Sequence, residues 1–288
     1  MLKTSILVIG LTSLMTAGVA QAQQVLVFTA IPDEDETRLV ERFTQYAKYF
    51  EGKLGVSVKY LPVKSYPAAV TAFTNSQVQL AWFGGFTGVQ ARRAVPGSEA
   101  IAQGAEDVAF KSYFIANAKT GLETSKEFPA SIAGRSFTFG SRASTSGRLM
   151  PEFFLRQHFA GKSPEEVFSR VGFSGDHSRT IQLVQSGAFE VGVLDYSVWN
   201  LETNAGKIDS SRVKVIWETP TYPDYNWTVR GDVDAMFGAG FKDKLRSAIL
   251  AIEDPTVLGP FARSKFIPAT NGDYAPIEEV AKTTGLFN

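Results

Sequence analysis

Three short stretches carry side chains suited to holding an anion: Ser144-Thr145-Ser146, Ser174-Gly175-Asp176-His177 and Asp195-Tyr196. The first lies within Gly140 to Gly147, between a β-type run (Arg135 to Phe139) and an amphipathic run with Leu149, Met150, Phe153 and Phe154 on one face. A strand that stops at small hydroxyl residues and restarts as a helix leaves backbone N–H groups unpaired. Those donors and the positive helix end favour an anion, and three hydroxyls can add to them. The same residues also suit a simple helix N-cap at Ser144 or Thr145. Metal chemistry needs clustered ligands; with no cysteine and only His158 and His177, we expect no metal and no cofactor. Phosphate-loop and dinucleotide glycine fingerprints are absent, as is the Gly-x-Ser-x-Gly elbow. A serine hydrolase pairing Ser144 or Ser146 with His177 has no motif behind it, so no catalytic residue is assigned.

The elements around these stretches read as α/β units. Gln24 to Ala30 suits a buried strand, and Asp33 to Glu36 place acids at the start of a helix carrying Leu39, Phe43, Tyr46, Ala47 and Phe50. That helix is expected to end near Glu51-Gly52-Lys53. Val56 to Leu61 alternates like a strand, Tyr66 to Phe73 looks helical, and Leu80 to Phe83 is a short strand ending at Gly84-Gly85. Ligands in open α/β sheets sit outside strand carboxyl ends, which makes Tyr66 and the Gly84-Gly85-Phe86-Thr87 turn candidates. For the double glycine, a tight turn at positive φ competes with a ligand cradle.

A second unit repeats the arrangement. After a strand at Lys111 to Asn117 come the opening stretch, a capping box at Ser163 to Glu166, and strands at Val171 to Phe173 and Glu190 to Leu194. Val213 to Trp217 leads into the two-proline segment Thr219 to Tyr225, and Trp227 to Val229 returns to the first unit. The expected division is 1–22 as an export signal, 23–116 with 220–288 as one domain, and 117–219 as the other.

Composition narrows the function classes. The chain has 288 residues with 29 basic and 29 acidic side chains, so it lacks the basic excess of a nucleic-acid binder. Lys3, the apolar run from Ile6 to Ala17 and Ala20-Gln21-Ala22 read as a signal cleaved after Ala22, which places the mature protein in the periplasm. Two α/β units joined by two crossings, exported and without a catalytic motif, suggest a hinged binder with its ligand between the domains.

The sequence resembles the solute-binding proteins of phosphate, phosphite and phosphonate ABC transporters, including a branch described as selenate-binding. The resemblance spans nearly all of the mature chain. It is carried by Lys64-Ser65-Tyr66, Ser144-Thr145-Ser146-Gly147, Ser174-Gly175-Asp176-His177, Trp82-Phe83-Gly84 and Asp273-Tyr274-Ala275-Pro276. It implies a type II periplasmic-binding-protein fold, a monomer and an inner-membrane permease partner. It also implies that the tyrosine, the hydroxyl motif and the histidine hold the anionic head group.

The candidate ligand-binding residues are therefore Tyr66, Phe86, Thr87, Ser144, Thr145, Ser146, His177 and Asp195. Asp195 lies where phosphonate binders place a carboxylate for an amine. Gly88 departs from the family, standing where a tyrosine is common, which suggests a reshaped pocket. A protonated phosphorus oxyanion would need an acceptor, Asp176 or Asp195, and a fully ionised selenate would be repelled by an unpaired carboxylate. Arg142, Arg148 and Arg179 lie near enough in sequence to offset charge. Alternatives on the same scaffold are a selenate or sulfate binder, an enzyme with His177 as base, or a sensor.

Overall fold

The computed structural model describes residues 24–287; the export-signal reading lies outside the described residues. Eleven strands follow in chain order: β1 (Val25–Ala30), β2 (Ser57–Tyr60), β3 (Leu80–Phe83), β4 (Glu99–Gly104), β5 (Ser112–Asn117), β6 (Ser136–Phe139), β7 (Arg170–Phe173), β8 (Val191–Asp195), β9 (Val213–Glu218), β10 (Asn226–Val229) and β11 (Phe266–Pro268). They form two mixed sheets with helices against them, one in the order β11-β4-β10-β3-β1-β2 and the other β7-β6-β8-β5-β9.

Within the first sheet β1, β2 and β3 run parallel, and within the second β6, β7 and β8 do. Their carboxyl ends therefore lie on one edge of each sheet, where α/β folds place ligands. One boundary changes. β5 falls in the expected first domain up to residue 116, yet it hydrogen-bonds to β8 and β9 in the second sheet. The crossing comes earlier, between β4 and β5.

The two crossing segments pair with each other: Phe110 and Tyr222 exchange backbone hydrogen bonds at 2.9 Å each. Several elements escaped the sequence pattern, among them the helix Gly85–Ala94 and strand β4. The first long helix runs Glu36–Leu54, capped by Asp35, and ends past Gly52 at Gly55, which takes φ 71°. Its buried aromatic face (Phe43, Tyr46, Phe50) packs on Phe28, Trp227 and Phe261. Each such buried side chain contributes roughly 1.5–3 kcal/mol. Trp82 stacks on Tyr225 at 5.4 Å and so anchors the second crossing segment to this core.

Candidate functional site

The hydroxyl stretch folds as a capped turn and also as an unusual helix start. β6 ends at Phe139, Ser144 is the N-cap with its Oγ accepting from the Gly147 N–H at 2.9 Å, and residues Thr145–Leu149 form one π-turn. The Leu149 N–H bonds to the Ser144 carbonyl five residues back, a wide turn found often at functional sites. Ser144 is thus the N-cap that the sequence allowed. Among the described residues no protein acceptor faces the N–H groups of Thr145 and Ser146. The carbonyl of Ser146 is held by the Ser112 hydroxyl at 2.7 Å.

Around this turn the structure gathers Tyr66, Ser144, Thr145, Ser146, His177 and Asp195, all buried. The Tyr66 hydroxyl lies 3.4 Å from His177 Nε2. The Asp195 N–H donates to His177 Nδ1 at 3.3 Å, so Nδ1 carries no proton and Nε2 does. Burial lowers the His177 pKa, with Asp195 opposing. The ring is therefore a neutral donor. Burial likewise lifts the Tyr66 hydroxyl well above its usual range, keeping it a donor too. Gly147 is needed for this packing: a Cβ there would meet His177 Cε1 and Ser144 Oγ at 3.0 Å each.

Besides the Tyr66 hydroxyl, the first unit reaches this cluster through its main chain. The Phe86 N–H donates to Thr145 Oγ1 at 3.0 Å, and the Asp33 carbonyl accepts the His177 N–H at 2.9 Å. The Phe86 ring itself packs on Phe287, and the Thr87 hydroxyl donates to the Gly84 carbonyl. These two candidates thus contribute helix start rather than side-chain donors. Gly84 is not a positive-φ turn; its φ is −70°. Close approach explains it instead, since a Cβ would sit 3.1 Å from Thr145 Oγ1 and 3.2 Å from Asp224 Oδ1.

Three expectations about charge and shape change. Asp195 is an N-cap: Oδ1 accepts from the Ser197 and Val198 N–H groups, and Oδ2 accepts from the Tyr225 hydroxyl at 3.0 Å. Both oxygens already accept, so a ligand amine would have to share Oδ2 with the Tyr225 hydroxyl. Gly88 does not shape the cluster directly, because a Cβ there would meet Arg92 Nη1 at 2.8 Å and Asn226 at 2.9 Å. Arg148 pairs with Glu152 and lies over Phe139. Arg142 and Arg179 line the outer cleft, a space of about 670 Å³ that also holds Ser65, Ser174 and Asp176.

Asp224 is the residue that sequence reasoning missed. It sits on the second crossing segment, fully buried, with Oδ1 accepting from the Gly85 N–H at 2.8 Å and Oδ2 without a partner. Burial pushes its carboxyl up to about 7, against the pull of the Gly85 N–H and the Thr145 hydroxyl. An acid beside a tyrosine inside a two-proline crossing was the available signal. The cluster thus combines neutral donors with one open carboxylate oxygen, a chemistry for a tetrahedral anion that shares a proton. Among the described residues no group of three His, Asp or Glu side chains is placed to hold a metal ion, and no helix is long and apolar enough to cross a membrane.

Comparison with known proteins places the chain. Residues 28–274 match the family model described as the periplasmic substrate-binding protein of phosphonate ABC transporters. A probable ABC transporter phosphite-binding protein, PhnD1 of Prochlorococcus marinus, is 40% identical over 94% of each chain. A phosphate-import protein of Mycolicibacterium smegmatis is 24% identical, covering 91% of this chain and 86% of that one. The solved structure of the Prochlorococcus protein with methylphosphonate superposes with a TM-score of 0.85, covering 91% of this chain and 98% of the other. The chain belongs to the periplasmic substrate-binding proteins of phosphonate ABC transporters.

Proposed function

We propose that this protein binds a small phosphorus oxyanion, phosphite or a short phosphonate, between its two units and delivers it to an ABC permease. Tyr66, Ser144, Thr145, Ser146 and His177 act as neutral donors, joined by the N–H groups of Thr145 and Ser146. The crossing segments at 105–111 and 219–225 carry the hinge. Export with cleavage after Ala22 and action as a monomer complete the reading. The observation that carries it is the open Oδ2 of buried Asp224 beside donors without protein acceptors. Phosphite and phosphonates take a proton near neutral pH at little cost, whereas sulfate and selenate do so only in strong acid. With one proton shared, Asp224 and a phosphorus oxyanion attract; with none, they repel. A His177 whose Nε2 carries the proton offers no lone pair to the cleft, which supports binding without turnover.

Thermal unfolding at about pH 8 with an anion panel tests this. Methylphosphonate or phosphite at about 100 times its dissociation constant should add about 2.7 kcal/mol of stability. Sulfate and selenate should add little to the natural protein. In Asp224→Asn the amide offers a donor where the carboxylate had a lone pair. The preference for methylphosphonate over sulfate should then shrink by about tenfold or more, roughly 1.4 kcal/mol. No stabilisation by any phosphorus oxyanion would sink the proposed function. An unchanged preference in Asp224→Asn would remove Asp224 from it.

A further inference from the structure

We propose that Asp33 takes up a proton when the two units close on the anion, so that ligand and proton bind together. This rests on the anion-binding reading above and goes beyond it. Asp33 follows β1 in the first unit, and its carbonyl accepts the His177 N–H from the second. Its side chain is buried, and Oδ1 has no partner.

The cations near it are ion-paired with other acids, and Arg42 only partly offsets its charge. Glu34 on its own loop and Asp195 at the end of β8 are both acids. Arg42, from the helix Glu36–Leu54, is paired with Glu34. Arg263 lines the same water-sized cavity but makes its ion pair with Asp107. Tyr60 and Tyr66 also face Asp33, and burial keeps both hydroxyls neutral.

The Tyr225 hydroxyl faces Asp33 as well, yet its one hydrogen goes to Asp195 Oδ2 at 3.0 Å. The phenol thus serves Asp195, and Asp33 Oδ1 is left without a hydrogen unless the carboxyl carries one itself. Burial first, and Glu34 second, raise the Asp33 carboxyl from 3.8 to about 7. Asp195 and His177 belong to the second unit, so opening exposes Asp33 to water and returns it to the ordinary range.

The sign follows by linkage. An acid whose pKa is higher in the closed form takes up a proton on closing, between its open and closed values. Affinity therefore falls as pH rises through that window, by up to about tenfold per pH unit, and levels off above about pH 7. Titration calorimetry with methylphosphonate at about pH 5.5, in two buffers of different ionisation enthalpy, counts the protons taken up. The natural protein should take up about one proton more per ligand than Asp33→Asn. Asp33→Ser repeats the comparison should the first variant not fold, since it keeps the backbone acceptor for His177. Equal proton counts would overturn the proposal while leaving the anion reading intact. No binding heat from methylphosphonate or phosphite in the natural protein would overturn the anion reading and this proposal with it.

Discussion

Asp107→Ala should lower the folding stability by about 3–5 kcal/mol, the usual consequence of orphaning a buried ion. Asp107 and Arg263 are both buried and joined by two forked contacts, Nε to Oδ2 at 2.9 Å and Nη2 to Oδ1 at 2.6 Å. Burial pushes the Asp107 carboxyl up to about 6 against the pull of Arg263, so the pair is ionised at neutral pH. Removing the carboxylate leaves a guanidinium in the interior facing Asp195 and the rings of Phe110 and Tyr225. It also frees the Gly104 N–H that Asp107 Oδ2 accepts at 2.9 Å. Urea unfolding at pH 7 checks this, and a loss below about 1 kcal/mol would contradict it. Replacing both partners should destabilise by less than the sum of the single changes.

Thr145→Val should weaken anion binding by about 10- to 100-fold while changing the stability of the ligand-free protein little. Thr145 Oγ1 accepts from the Phe86 N–H at 3.0 Å. Valine keeps the volume but leaves a buried N–H without an acceptor, which costs about 1–3 kcal/mol. Because Phe86 and Thr145 belong to different units, that cost falls on closure and not on folding. Calorimetric titration with methylphosphonate, beside thermal unfolding without ligand, separates the two. Unchanged affinity would make the turn a helix cap and nothing more.

The elements found from the sequence alone are those whose information is local. Alternating or continuous apolar runs marked β1, β2 and β3, and side chains that bond within a few residues marked helix starts. Ser163 and Glu166 form the expected box, and Asp176 caps the helix beginning at His177. The helix Gly85–Ala94 was invisible for the opposite reason. It opens on glycines of poor helix propensity, and the group that caps Gly85 is Asp224, 139 residues away. Strand β4, with its small side chains, is a strand because β10 and β11 pair with it.

The site divides along the same line. Residue types and strand ends determined where the donors lie: the hydroxyls of Ser144, Thr145 and Ser146 after β6, His177 after β7, and Tyr66 after β2. Their convergence was legible too, since parallel strands bring their carboxyl ends to one edge. What only the tertiary structure decided is the electrostatics. Burial by both units, not sequence spacing, leaves Asp224 and Asp33 each with an open oxygen and a carboxyl lifted to about 7. The same contacts commit Asp195 to Tyr225 and a helix cap. A carboxylate's protonation depends on the water it loses and the charges it meets, and those come from residues far away along the chain.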